Sequence, residues 1–184
     1  SKYPIISRNI FEGNLRHAAL RVTAHTPLGE LALVTAHLHP ESEDERVREM
    51  GLILADICGE EKAIILGDFN ALSRASNPPK AWISRFNVNL QKMFTRDGEF
   101  RHELTDLLHR KDYVDMGLDA GATFPTPLSN NYRENFPFRI DYSFMTRELA
   151  RHVKSACVVR MPPADIASDH YPLLVTFREP MRKI

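Results

Sequence analysis

Four short stretches of this chain carry the residue types that acid–base chemistry needs. The densest is Gly67-Asp68-Phe69-Asn70, which follows the apolar run Ala63-Ile64-Ile65-Leu66. Such a run reads as a strand covered on both faces. In extended geometry Asp68 and Asn70, two residues apart, project from the same side. The carboxylate can take a proton from a water, and the amide can donate to a phosphoryl oxygen. Gly67 permits a ligand or a backbone to approach closely. The same residues also suit an Asx-turn, in which Asp68 and Asn70 cap the local backbone.

In the second stretch, Arg139-Ile140-Asp141-Tyr142, Asp141 sits among Ile140, Tyr142 and Phe144. A lone carboxylate there is expensive to bury, so it calls for a partner, either Arg139 or a histidine. Ser168-Asp169-His170-Tyr171-Pro172 supplies a histidine. An Asp–His pair fixes the imidazole tautomer and stabilises its protonated form. The fourth stretch ends a strand at His37. His37-Leu38-His39 invites a zinc reading, but Pro40-Glu41-Ser42 does not continue as a zinc hydrolase requires. His17, His25, His102, His109 and His152 have no partner pattern and read as solvent-facing.

The elements that must hold these stretches are legible in outline. His17 to Thr26 and Glu30 to His39 alternate as strands around the turn Thr26-Pro27-Leu28-Gly29. Thr35, His37 and His39 then share one face. Ser42 and Glu45 form a capping box opening a helix, with Val47, Met50, Leu54 and Ile57 as its apolar stripe and Gly59 beyond its end. A second helix is predicted from Asn77 and Pro78, with Trp82, Phe86, Leu90 and Met93 on one side. Glu103 to Arg110 reads as a short helix. Gly121 to Arg139 reads as a loop, and Ile140–Met145, Ala156–Met161 and Leu173–Phe177 read as closing strands. Strands followed by mixed helices and strands predict an α/β or α+β layered domain.

Composition narrows the function classes. At 184 residues, one domain spanning 1–184 is expected. Lys+Arg and Asp+Glu both number 24, which argues against a broad non-specific nucleic-acid or membrane footprint but not against a small charged cleft. No apolar run is long enough to span a bilayer. Cys58 and Cys157 are too few for a disulfide framework and read as buried free thiols, which points to a reducing, cytoplasmic compartment. There is no Gly-x-Ser-x-Gly elbow, phosphate-binding P-loop or dinucleotide fingerprint, so those enzyme classes lose support.

Taken in order, Thr35-Ala36-His37-Leu38, Gly67-Asp68-Phe69-Asn70, Arg139-Ile140-Asp141-Tyr142 and Ser168-Asp169-His170 resemble the endonuclease/exonuclease/phosphatase superfamily. These are metal-dependent phosphohydrolases related to pancreatic deoxyribonuclease. The opening Lys2-Tyr3-Pro4-Ile5 also looks like the segment that precedes this strand series in the family. The resemblance implies a four-layer α/β sandwich with two mixed sheets. It implies that Asp68 orients or deprotonates the attacking water and that Asn70 holds a phosphate oxygen. His170, steered by Asp141, would bind the scissile phosphate or act as base. His37 would be a second imidazole at the phosphate. Asp169, with Asp68, would meet Mg²⁺ or Mn²⁺, since the ligand set is oxygen-rich.

Members of that family begin with a strand carrying an Asn and a Gln-Glu motif whose Glu is the principal metal ligand. Neither occurs here, so N-terminal strands are expected to be missing from this chain. An uncovered sheet edge then predicts self-association. In repair members a Trp precedes the Arg-Ile-Asp segment, where this chain has Phe138. Phe124, Tyr132, Arg133 and Phe138 are the candidates for stacking on a base or meeting a head group. The leading expectation is a phosphodiesterase acting on a nucleic acid, a nucleotide or a phospholipid head group through water. A catalytically silent relative that binds a partner is the alternative, and a zinc hydrolase built on His37 and His39 is a distant one.

Overall fold

The computed structural model describes residues 1–11, 13–129 and 136–178. Strands β1 (Ile5–Ile10), β2 (Ala18–Thr26), β3 (Gly29–His37), β4 (Ala63–Asp68), β7 (Tyr113–Asp115) and β8 (Asp141–Thr146) form one sheet in the order β1-β2-β3-β4-β8-β7. Only the β3–β4 pair in this sheet is parallel, because helix α1 (Glu43–Asp56) returns the chain between them. The other pairs are antiparallel. The α+β class expected from the sequence is therefore present.

Two faces of the sheet carry different loads. Val34, Ala36, Ile65 and Phe144 face the helical side and pack with Met50 and Ile53 of α1, with Ile57 at its C-cap, and with Leu104 and Leu108 of α3 (Glu103–Arg110). Leu31, Ile64 and Met145 face the other side. There they meet Val153, Val175 and Phe177 of a two-stranded sheet, β9 (Val153–Val158) and β10 (Leu173–Phe177). Among the described residues, this pair is what stands for the second sheet of the expected four-layer arrangement. Short helices α4 (Arg147–Ala150) and α5 (Pro162–Ala167) link these strands.

Helix α1 starts at the expected N-cap, with the Ser42 hydroxyl accepting from the Glu45 amide at 3.3 Å. The capping box is only half formed: the Ser42 amide donates to His39 Nδ1 at 3.2 Å and the Glu45 carboxylate takes Arg48. Its most buried face differs from the apolar stripe. Glu43, Arg46 and Glu49 lie fully buried beside Met50 and Ile53, and Val47 and Leu54 are only partly covered. Arg46 answers Glu43 at 2.9 Å and donates to the carbonyls of His39 and Pro40, so its charge is met on several sides.

The single helix predicted from Asn77 is not formed. A 3₁₀ segment, Lys80–Arg85, ends at Phe86, and α2 (Val88–Phe94) begins afresh with the Asn87 side chain accepting from Leu90 N at 2.9 Å. Asn77 Oδ1 instead accepts from His102 Nε2 at 2.8 Å, and Pro78-Pro79 hold the chain extended before the 3₁₀ turn. Trp82, Phe86, Leu90 and Met93 still converge, because the broken segment wraps one aromatic cluster with Phe94, Phe136 and Phe138. A two-residue ribbon, β5 (Thr95–Arg96) with β6 (Glu99–Phe100), turns the chain back. Strand β7 has only three residues, too few for a periodic signal. Both cysteines are exposed, contrary to the buried thiols expected.

Candidate active site

Parallel pairing of β3 with β4 brings His37 and Asp68 to the same end of the sheet, where the Leu38 amide donates to the Asp68 carbonyl at 3.0 Å. Antiparallel pairing of β4 with β8 then sets Asp141 directly opposite Asp68. Gly67 makes the first junction possible. At its φ of +132°, a Cβ would lie 2.1 Å from the Ala36 carbonyl oxygen. The close approach that glycine permits is thus that of the neighbouring backbone.

Past Asp68 the strand does not continue, so the expectation that Asp68 and Asn70 project together in extended geometry is corrected. Asn70 has a φ of +50°, its amide donates to Asp68 Oδ1 at 2.8 Å, and its side-chain Nδ2 donates to the Leu38 carbonyl at 3.1 Å. This is the Asx-turn reading, and short polar side chains are the ones that tolerate such a φ. The turn has a use: it leaves Asp68 Oδ1 satisfied by backbone and Oδ2 turned to the imidazoles.

Asp68 Oδ2 lies 3.5 Å from His37 Nε2 and 4.0 Å from His170 Nε2. His170 Nδ1 lies 2.8 Å from Asp141 Oδ2, so the partner of Asp141 is the histidine. Arg139 is taken by Asp115, with both side chains 2% exposed and the arginine Nη2 2.7 Å from Asp115 Oδ2. His170 is therefore fixed at one nitrogen and open at the other.

The electrostatics follow from this crowding. Burial and the like charge of Asp141 push the Asp68 carboxyl up to about 6, against the pull of the Asn70 amide, His170 and Arg46. Burial alone would lower His170, but its hydrogen bond to Asp141 and that carboxylate's charge outweigh burial and raise it. His37 is lowered, first by burial and then by the charge of His170. Two imidazoles of opposite tendency thus flank one basic carboxylate.

Thr123, fully buried, was missed by sequence reasoning. Its Oγ1 accepts from the amides of Ile140 and Asp141 at 3.2 and 3.1 Å, and its carbonyl accepts from Tyr171 N at 2.7 Å. It ties the Asp141 strand to the His170 loop. Nothing local in Gly121-Ala122-Thr123 signals this. Glu49 was missed too, although a charged residue on the buried side of a helix was the available sign. Its two carboxylate oxygens accept from Arg16 N at 2.6 Å and His39 N at 2.8 Å.

The remaining expected residues divide. Phe124 lies beside His170, with ring centroids 4.8 Å apart. Phe138 is 3% exposed inside the aromatic cluster, so it is a core residue and is not presented to a substrate. Tyr132 and Arg133 lie outside the described residues. Asp169 is exposed, with Oδ1 accepting from the Ser168 hydroxyl at 3.4 Å. Among the described residues no three His, Cys, Asp or Glu side chains are grouped to hold a metal ion. His39 does not pair with His37 as zinc would need, because its Nδ1 accepts from the amides of Glu41 and Ser42. His102, expected in solvent, is 5% exposed, and His17 stacks on His37.

The family to which the order of the motifs points is the one that the wider comparison finds. Residues 1–170 match the model of the Endonuclease/Exonuclease/phosphatase family. The chain belongs to this family. Solved structures of similar fold include the 3′ phosphatase NExo from Neisseria bound to a product DNA hairpin, at 13% identity and TM-score 0.68, covering 97% of this chain and 73% of that one. The endonuclease domain of TRAS1, a telomere-specific non-LTR retrotransposon, matches at 17% identity and TM-score 0.61, covering 94% and 67%. A family protein from Leptotrichia buccalis matches at 17% and 0.63, covering 97% and 63%. The chain thus spans 63–73% of the length of these structures. No curated protein sequence matches it.

Proposed function

We propose that this chain hydrolyses phosphodiesters, with water as nucleophile and Asp68 as the group that orients and deprotonates it. The observation that carries the reading is the placement of Asp68 Oδ2 between His37 Nε2 at 3.5 Å and His170 Nε2 at 4.0 Å, with His170 anchored on Asp141 at 2.8 Å. A carboxyl raised to about 6 is ionised near neutral pH yet more basic than an ordinary aspartate, which suits it to take a proton. His170, raised by Asp141, offers an N–H at Nε2 to a phosphoryl oxygen and stabilises charge there as it builds. His37, held neutral, contributes a second imidazole edge. Asn70 keeps the Asp68 carboxylate in register through the Asx-turn.

The family's Mg²⁺ or Mn²⁺ finds no closed site among the described residues, so the proton steps are assigned to these side chains alone. A nucleic-acid end is the first substrate class to try, since the Neisseria relative is seen with a DNA hairpin. Nucleotides and phospholipid head groups follow.

Hydrolysis of a chromogenic phosphodiester by the full chain tests this, with Mg²⁺, Mn²⁺ or chelator, beside Asp68→Ala. Turnover that disappears in Asp68→Ala supports the reading, and the chelator arm decides the cofactor. Turnover equal in both proteins would remove Asp68 from the chemistry.

A further inference from the structure

His17 lies outside all four sequence stretches, yet its ring is stacked on that of His37, with centroids 4.2 Å apart and planes 19° from parallel. The contact is built by the fold rather than by chance of two surface side chains. His37 closes β3 opposite Ala18, the first residue of β2, so His17 enters the sheet beside it. Glu49, fully buried on α1, then clamps both chains at this point. One oxygen takes the amide of Arg16 and the other takes the amide of His39, the immediate neighbourhood of each ring.

His37 needs such help. Its side chain is 51% exposed, at a strand end, and the outer torsion of a histidine is broad and roughly two-fold. Left to itself the ring would turn freely, and Nε2 would point at Asp68 only part of the time. A flat neighbour on one face removes that freedom.

We propose that His17 is a positioning residue, a stacking platform held by Glu49 that keeps His37 Nε2 aimed at Asp68 Oδ2. Its role at a phosphate site rests on the phosphodiesterase reading, but its grip on His37 does not. The platform works through its face, so another flat ring can replace it and a small side chain cannot.

Imidazole proton and nitrogen resonances of the full chain, with and without inorganic phosphate as the probe, test this in His17→Ala and His17→Phe. Without phosphate, His17→Ala moves the His37 ring signals downfield as the neighbouring ring current is lost, leaves the His170 signals in place, and His17→Phe brings His37 back upfield. With phosphate, the response at His37 weakens about twofold to tenfold in His17→Ala, the size of an aromatic pair contact, and recovers in His17→Phe. Unchanged His37 signals in His17→Ala overturn the proposal, and so does a failure of His17→Phe to restore them. A shift at His170 as large as that at His37 also overturns it, because the ring would then be supporting the fold at large. If phosphate moves neither His37 nor His170 in the wild type, the phosphodiesterase reading fails, while the phosphate-free spectra still decide the role of His17.

Discussion

The Nε2 of His170 stops 4.0 Å from the Oδ2 of Asp68. That is beyond hydrogen-bond reach. The two groups feel each other's charge but share no hydrogen bond, so each keeps its capacity for a third partner. On the far side of the ring, Asp141 at 2.8 Å holds the imidazole by Nδ1, so the gap is maintained by strand pairing and not by side-chain preference alone. The cost of this arrangement falls on Asp68, whose carboxyl is pushed up to about 6, first by burial and then by the like charge of Asp141 on the adjacent strand.

That cost predicts a stability effect. The folded value of about 6 lies above the ordinary 3.8, so between them the native state holds a proton that the unfolded chain has lost. Native stability therefore falls as pH rises through this interval, and the full penalty persists at neutral pH. Asp68→Asn removes the charge but keeps an oxygen for the Asn70 amide. It should stabilise the chain by about 1–3 kcal/mol near neutral pH, at 1.36 kcal/mol per unit as the upper limit. The gain should vanish at acid pH below the ordinary aspartate range. Urea unfolding at the two pH values checks this, and a gain independent of pH would sink it.

His170 behaves oppositely. Its raised value means that the Asp141 pairing stabilises the fold below the ordinary histidine range, and that this contribution is lost as pH rises through the raised value. Asp141→Asn should lower the His170 titration midpoint in proton NMR while the sheet stays intact. Turnover should drop by up to about 10⁴-fold if the pair works as an orienting Asp–His couple does. A His170 midpoint that stays in place would detach Asp141 from it.

How much of this site the sequence disclosed depended on whether the partner lay in a pattern. The Asp68 strand, its glycine and the Ser42 N-cap of α1 were readable because each is a local device with local spacing. The Asp141–His170 pair was reachable because a semi-buried carboxylate demands a partner and one histidine stood in a motif. Asp115 was not reachable. It sits in a three-residue strand, and its pairing with Arg139 spans residues whose separation carries no period. Thr123 and Glu49 act through backbone amides of distant segments, which only the assembled fold brings near. The helix expected from Asn77 failed for a related reason: Asn87 caps a fresh helix and Asn77 binds His102.

The Arg139–Asp115 pair gives a prediction that separates it from the site. Both side chains are 2% exposed, and Asp115 Oδ1 also accepts from Gly117 N at 2.9 Å. Asp115→Ala leaves a buried guanidinium without its counter-charge and should cost about 3–5 kcal/mol in unfolding free energy. Asp141→Ala, at a carboxylate whose side chain is 19% exposed, should cost clearly less. Equal losses would mean that Arg139 leans on Asp141 after all.

Gly67 offers a test of how the site is carried by the sheet. A methyl at this position would meet the Ala36 carbonyl oxygen at 2.1 Å, and the φ of +132° is itself unfavourable to any side chain. Gly67→Ala should cost on the order of 3 kcal/mol, the scale of strained backbone plus a clash that only strand separation can relieve. Because β3 bears His37 and β4 bears Asp68, the relief should also perturb the His37 imidazole resonances. Gly121→Ala, where a Cβ meets nothing within 4 Å but φ is also positive, provides the comparison for strain alone. A loss in Gly67→Ala no larger than in Gly121→Ala would mean the close approach is not tight.

Strand β1 bears on association. All six of its residues are exposed, and Ile5, Ile6 and Ile10 are each more than half so. An edge strand this apolar is a template for pairing with another chain. It is protected in part by the exposed charge of Arg8 and by the break in register between Ile5 and Ser7, which leaves Ile6 as the extra residue of a bulge. We expect the chain to self-associate through this edge in a concentration-dependent way. Ile6→Lys places a charge where the β1–β2 ladder loses no pairing, so it should shift the sedimentation profile toward monomer without lowering stability. A wild-type profile that is monomeric throughout, or an assembly that Ile6→Lys leaves intact, would show that β1 is not the contact.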